Sequence, residues 1–295
     1  MGSEMCIRDR IRASIRFKHF KKTYDENILD IKGGLNDVVM NNSPIDIDKL
    51  IEGTNEILTA NRNSLQLFDM LHSMRQFDDL TYVHSVNVAL IASILGQWLK
   101  FSEKDIRILT ISGLLHDIGK IMIPNEILTK PGKLTVAEYN IMKQHVNFGY
   151  EKVKNQNIDI RIKEACLLHH EKCDGTGYPF GLKSDHIPAV AKIIAIADVY
   201  DAMTSARVYR GALCPFEVID TMYKDAFTKF EPEYILPFLK NVASSYINND
   251  VRLSDGRIGK VVLINENALS LPIVQCEDEF IDLSKTRGLT VSAIL

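Results

Sequence analysis

The sequence predicts a mainly α protein with an N-terminal helical hairpin, a helical middle region and a small β-rich C-terminal extension. Three observations predict it. Apolar residues recur at helical spacing from Tyr24 to Phe77. The region from Asp78 to Ser245 is patterned for helix almost throughout. From Asn248 to Leu295 the pattern changes to short β-rich runs separated by turn residues.

The first ten residues, MGSEMCIRDR, lack the apolar core of a signal peptide and read as a tag or mistranslated leader, set aside from the fold. The N-terminal region, 11–77, carries two apolar stripes. Ile28, Ile31, Leu35, Val38 and Val39 form one; Leu50, Ile57, Leu58 and Leu65 form the other, and Asn41-Asn42-Ser43-Pro44 breaks the chain between them. No chemistry is visible in this hairpin, which reads as a packing or homodimerisation element. The middle region, 78–245, is expected to be the catalytic part. Its run from Val86 to Leu99 is the longest apolar stretch, yet Asn87, Ser93 and Gln97 interrupt it and it is too short to span a bilayer, so it reads as a buried helix. Pro188, Pro215 and Pro232 stand where prolines open helices. In the extension, 246–295, strands are expected over Ile258 to Ile264, Pro272 to Cys276, Phe280 to Leu283 and Leu289 to Ile294. Ser254-Asp255-Gly256 and Asn265-Glu266-Asn267 serve as turns, and the whole forms a small antiparallel sheet.

Composition narrows the function. Hydrophobic residues make up 46% of the 295 and charged residues 25%, ordinary for a globular protein. A net charge of −3 supplies no basic field for a nucleic acid polymer, so an anionic substrate must be gripped by local charge or by metal. The five cysteines form no C-x-x-C pair, which argues against a zinc ribbon or disulfide framework and suits a reducing, cytoplasmic location.

The chemistry concentrates in the middle region: His84 in TYVHSVNVALIA, His116 and Asp117 in GLLHDIGK, His145 in MKQHVNFGY, His169 and His170 in ACLLHHEKCDGTGYP, and Asp198 in VAKIIAIADVYDAMTS. Asp198 sits in a run of Val, Ala and Ile that must be buried, and an unpaired carboxylate there would cost several kcal/mol, as would Asp117 after Gly113-Leu114-Leu115. A metal ion removes the difficulty. One histidine on an apolar face is ordinarily a satisfied core residue, but five of the eight histidines plus two buried aspartates are too many for independent packing explanations. Mixed imidazole and carboxylate ligands suit iron, manganese or zinc better than calcium or magnesium alone. A carboxylate next to a histidine can bridge two metals about 3.5–4 Å apart, a device for phosphoester hydrolysis.

HDIGK (His116 to Lys120), IPNEILTKPGKLT (Ile123 to Thr135), HHEKCDGTGYP (His169 to Pro179) and IADVYDAMTSARVYR (Ile196 to Arg210) together resemble the HD-GYP family, a branch of the HD phosphohydrolases. The resemblance runs from about Asp79 to Leu239 and implies an HD-type helical bundle that hydrolyses cyclic di-GMP to linear pGpG or GMP. Matched by motif, it implies one metal held by His84, His116, Asp117 and Asp198 and a second held by Asp117, His145, His169 and His170, with iron or manganese as the metal. It further implies attack by a hydroxide between the metals. Lys120, one turn after the HD pair, would neutralise phosphate charge. Arg207 and Arg210 resemble phosphate or guanine contacts, Tyr178 would pack on the ligand, and Asp201 is expected at the substrate or, with Glu171, behind a histidine ligand. Members with a third ion carry a glutamate four residues before the first histidine; Leu80 stands there, and Asp78 and Asp79 are badly placed, so two metals are expected. The run Ala226 to Pro232 lacks the family's glycine and Asp-Pro, a change in a loop rather than in the ligands. Expected partners are cyclic di-GMP and a diguanylate cyclase or other signalling protein. Two other functions are open: an HD enzyme for other nucleotides, against which the GYP loop argues, and a non-catalytic cyclic di-GMP receptor or scaffold, whose mark would be lost ligands.

Overall fold

The computed structural model describes residues 14–61, 64–73, 80–205 and 212–295. Helix α1 (Ile15–Asn41) starts where the Ser14 side chain accepts a hydrogen bond from the Phe17 N–H. It stops at the predicted break, with Asn42 in the left-handed region at φ 50°. Helix α2 (Ile47–Ala60) is capped by Asp46, which accepts from the Lys49 N–H. Inside the pair, the Asn27 amide donates to the Thr54 hydroxyl across 2.9 Å, with both residues buried.

The expected hairpin is incomplete, because a third helix, α3 (Ser64–Ser73), follows. Leu65 belongs to it, so the second apolar stripe is shared between two helices. Asn61 ends α2: its side-chain amide donates back to the Ile57 carbonyl while its backbone leaves the helical region. Nor does the first stripe stand open for a partner. Ile31, Leu35, Val38 and Val39 are buried within this chain.

Helix α4 (Leu80–Trp98) contains most of the long apolar run and lies in the core against α5 (Glu103–Leu115), which starts at the Ser102 cap. Among the described residues no helix is long and apolar enough to cross a membrane. A 3-10 turn, Ile118–Met122, leads to the short helices α6 (Asn125–Leu128) and α7 (Val136–Met142); a Thr135/Glu138 capping box opens α7. Then come α8 (His145–Val153), α9 (Ile160–Leu168), α10 (Ala189–Thr204), α11 (Pro215–Asp225) and α12 (Pro232–Ser245). Pro215 and Pro232 occupy first helical positions as expected, whereas Pro188 stands one residue earlier, as the cap of α10.

The extension is a five-stranded antiparallel sheet of β1 (Asp250–Leu253), β2 (Ile258–Leu263), β3 (Ile273–Cys276), β4 (Glu279–Asp282) and β5 (Val291–Ile294), in the order β4-β3-β2-β1-β5. Strand β1 was not expected: four residues, two of them charged, give too short an alternation to stand out. Its alternation is real, since Val251 and Leu253 face inward with Val261, Val274, Ile281 and Ile294. That inner face joins one apolar cluster that runs from Phe17 to Ile294, so the helices and the sheet share a core.

Candidate metal centre

Five pieces of backbone deliver the seven predicted ligands to one buried place. α4 carries His84; the two residues that follow α5 are His116 and Asp117; α8 opens on His145; and α9 ends just before His169 and His170. Asp198 comes from the middle of α10. The close fit of the 3-10 turn to α8 depends on Gly119, where a Cβ would overlap the His145 carbonyl oxygen.

Asp117, 1% exposed, lies between two sets of histidines. Its Oδ1 is 3.3 Å from His145 Nε2 and 3.8 Å from His169 Nε2. Its Oδ2 is 3.5 Å from His84 Nε2 and 3.3 Å from His116 Nε2. Asp198 stands across from it, with Oδ1 3.0 Å from His84 Nε2 and Oδ2 3.7 Å from His170 Nδ1. Two compact groups of ligand atoms result. One comprises Asp117, His145, His169 and His170, and the other His84, His116 and Asp198.

Three of the histidines are aimed by backbone close by in sequence. His116, His145 and His169 each direct Nδ1 at a carbonyl three or four residues back, of Gly113, Met142 and Ala165, at 2.8, 2.7 and 3.0 Å. Nε2 is thereby left toward Asp117, as a metal-ligating imidazole requires. His84 is aimed differently, with Nδ1 2.7 Å from Asp201 Oδ2.

Burial is the largest influence on these groups. It pushes His145 down to about 4, His170 down to about 3 and His169 well below the usual range, so all three are neutral imidazoles at pH 7. Burial presses His84 the same way, but hydrogen bonds to Asp198 and Asp201 outweigh it and hold the ring up at about 9. Burial would raise both carboxylates. Lys120 and His116 hold Asp117 well below the carboxylate range, and the His84 hydrogen bond does so for Asp198. Two anions and the three neutral imidazoles of His145, His169 and His170 therefore converge, and a cation at His84 Nε2 would take the place of its proton.

The residues fit a divalent cation on a further count. His116 Nε2 and Asp117 Oδ1 are buried with no hydrogen-bond partner, although each is aimed into the cluster. Buried polar atoms are rarely left so, and a bound ion at this place would satisfy both.

The remaining expected residues fall out as follows. Lys120 is ion-paired with Asp117 Oδ2 and reaches the rim, its side chain 17% exposed. Tyr178 stacks on His170, ring centroids 4.7 Å apart, and burial pushes its hydroxyl far up, so it stays a neutral phenol. Asp201 is 2% exposed and lies behind His84, which suits the role of positioning that ring and gives no access to substrate. Glu171 does not orient a histidine. Its carboxylate accepts from the backbone N–H groups of Phe180, Gly181 and Leu182 at 2.7, 3.2 and 2.9 Å, and so pins the loop that carries Tyr178 and the cis Tyr178–Pro179 bond. Gly177 lets that loop fold back, because a Cβ there would overlap the Glu171 backbone. Glu171→Ala is expected to cost about 3 kcal/mol of stability, the scale of a lost charge-assisted bond with its freed donors, read as a lower urea midpoint. An unchanged midpoint would mean that the loop is held by other contacts.

Arg207, Arg210, Asp78 and Asp79 lie outside the described residues. Leu80 is the first residue of α4, one turn before His84. Sequence reasoning missed Asn87 as a site residue. Its amide donates to Asp201 Oδ1 across 2.9 Å, and the available signal was a polar residue interrupting an apolar run three positions after His84.

Comparison with known proteins agrees with this geometry. A family model described as HD domain matches residues 52–234, more than half of the chain, beginning within α2. A cyclic di-GMP phosphodiesterase of Pseudomonas aeruginosa is 36% identical over 203 residues, 68% of this chain and 49% of that protein. A 3′3′-cGAMP-specific phosphodiesterase 2 of Vibrio cholerae is 30% identical over 216 residues, 72% of this chain and 40% of that protein. The chain thus spans about half the length of the curated relatives it matches. Among solved structures, a HDG"Y"P protein from Bdellovibrio bacteriovorus shares the fold, with a TM-score of 0.56 at 18% identity over 78% of this chain and 74% of that one.

Proposed function

The chain belongs to the HD domain family, and from that premise we propose that it is a metal-dependent phosphodiesterase that hydrolyses cyclic di-GMP to linear pGpG or GMP. One observation carries the proposal: the two oxygens of Asp117 face opposite sets of histidines, as a carboxylate shared by two metals must. The relatives supply the substrate, and the similarity to a 3′3′-cGAMP-specific enzyme makes that hybrid dinucleotide the competing one.

In this reading His84, His116, Asp117 and Asp198 hold one divalent ion, and Asp117, His145, His169 and His170 hold the other, with iron or manganese suited to the donors. Bound there, the ions would supply Lewis acidity and a nucleophile from water at neutral pH. The protein does the rest. Nδ1 contacts fix the imidazoles of His84, His116, His145 and His169 so that little reorganisation is needed at the moment of reaction. Lys120, beside Asp117 at the rim, offsets negative charge on the phosphoryl oxygens. Tyr178 offers an aromatic face to the ligand from a loop that Glu171 holds still. Arg207 and Arg210 are proposed as phosphate or guanine contacts. Among the described residues the thiols of Cys166, Cys173, Cys214 and Cys276 are free, which suits a reducing cytoplasm.

Purified protein loaded anaerobically with Fe(II), or with Mn(II), is expected to hydrolyse cyclic di-GMP faster than 3′3′-cGAMP, and to stop when a chelator removes the metal. Faster turnover of 3′3′-cGAMP would reassign the substrate. No product from either dinucleotide with either metal would leave a receptor or scaffold.

A further inference from the structure

We propose that Tyr24 and Asn87 position His84 through a buried hydrogen-bond relay, and that the N-terminal helix α1 thereby sets how firmly His84 holds a cation. The inference rests on the metal reading above. The relay begins on α1, where the Tyr24 hydroxyl donates to Asn87 Oδ1. Asn87 Nδ2 donates to Asp201 Oδ1 across 2.9 Å. Asp201 Oδ2 meets His84 Nδ1 at 2.7 Å, and His84 Nε2 faces Asp117 and Asp198. Every member is buried.

Chemistry fixes the direction of each bond. A carboxylate accepts and does not donate, so the Asn87 amide must turn its nitrogen to Asp201 and its oxygen to the tyrosine. Asp201 then receives the amide and the Ser205 hydroxyl, at 3.2 Å, on one oxygen and the imidazole N–H on the other. With a cation in place of the Nε2 proton, the one proton left on His84 would be held on Nδ1 by Asp201.

His84 is distinct in where this support comes from. His116, His145 and His169 are oriented by carbonyls only three or four residues back in the chain, so their supports stay local to the ligand. The His84 support crosses 117 residues to Asp201, and its far end lies another 63 residues from Asn87 in sequence, on α1. At its other end α1 is tied to α8, the helix that opens on His145: Lys152 Nζ donates to the Val39 carbonyl and to Asn42 Oδ1, at 2.8 and 3.0 Å. A displacement of α1 is therefore felt at the metal centre through polar bonds as well as packing.

The test uses the full chain, stripped of metal by a chelator and titrated with Mn(II) in a calorimeter. Asn87→Ala is expected to weaken one Mn(II) binding step about tenfold, the low end for loss of a group behind a ligand. Tyr24→Phe, which keeps the buried ring and removes one hydroxyl, is expected to weaken the same step by less. The double variant should be no weaker than Asn87→Ala, because both residues act through one chain. Asn27→Ala is the control: it breaks the buried bond to Thr54 within the same hairpin and should lower Tm while leaving Mn(II) affinity alone. Unmutated affinity in both Tyr24→Phe and Asn87→Ala would overturn the relay, as would an equal loss in Asn27→Ala. If the unmutated protein binds no Mn(II), the metal reading falls and the relay with it. Should Asn87→Ala fail to fold, Tyr24→Phe decides.

Discussion

Asp117→Ala is expected to empty the centre and abolish hydrolysis together. Asp117 faces four histidines, two from each set, whereas Asp198 faces only His84 and His170, so removal of Asp117 takes a ligand from each side at once. The loss does not end with two ligand atoms. Five histidines and Asp198 would remain gathered around a space with one anion fewer, and the attraction for a divalent cation falls with the charge. Metal per chain after anaerobic purification should drop to background, and turnover of cyclic di-GMP below detection. Full retention of both metals with loss of activity alone would show that Asp117 is not the shared ligand.

Lys120→Ala is expected to separate binding from chemistry. The ammonium touches Asp117 from the rim but is not a donor to a cation, so metal content should be unchanged. Removing one preorganised positive group from the developing phosphoryl charge should lower kcat by about 10²-fold or more. Lys120→Arg should recover part of that loss if charge is what matters. Near-unmutated turnover in Lys120→Ala would reduce the residue to an ion-pair partner of Asp117.

Much of the fold was legible because periodicity is local. The α1 stripe, the Asn41–Pro44 break and the helix starts at Pro215 and Pro232 each depend on neighbours within a turn or two. What escaped were short or borrowed features. Strand β1 owes its existence to pairing with β2 and β5 on either side, information that four residues do not carry. The start of α3 was hidden because the apolar stripe of α2 continues across the break at Asn61. At the site, the ligand residues could be named because histidine and aspartate are conspicuous in apolar helices. Their supports could not. Glu171 reads as one more residue of a loop motif, and its three backbone donors emerge only when residues 180–182 fold back over it. Asp201 reads as a candidate for substrate because nothing in its local sequence says that His84 covers it. Tyr24 looks like part of an apolar face, since its hydroxyl finds its partner 63 residues away.

The order of the sheet bears on how molecules of this protein meet one another. Strand β4 is an edge, and an edge offers unpaired backbone groups to any passing strand, the first step toward aggregation. Here that edge is fenced with like charge: Glu277, Asp278, Glu279 and Asp282 crowd one turn and four strand residues, offset in part by Arg257, 3.6 Å from Glu279, and Lys285, 3.1 Å from Asp282. A second copy approaching edge to edge would bring the same four acids against these, and the repulsion would meet it before any backbone bond formed. Phe280, 65% exposed on that strand, is thus guarded by its neighbours rather than by burial.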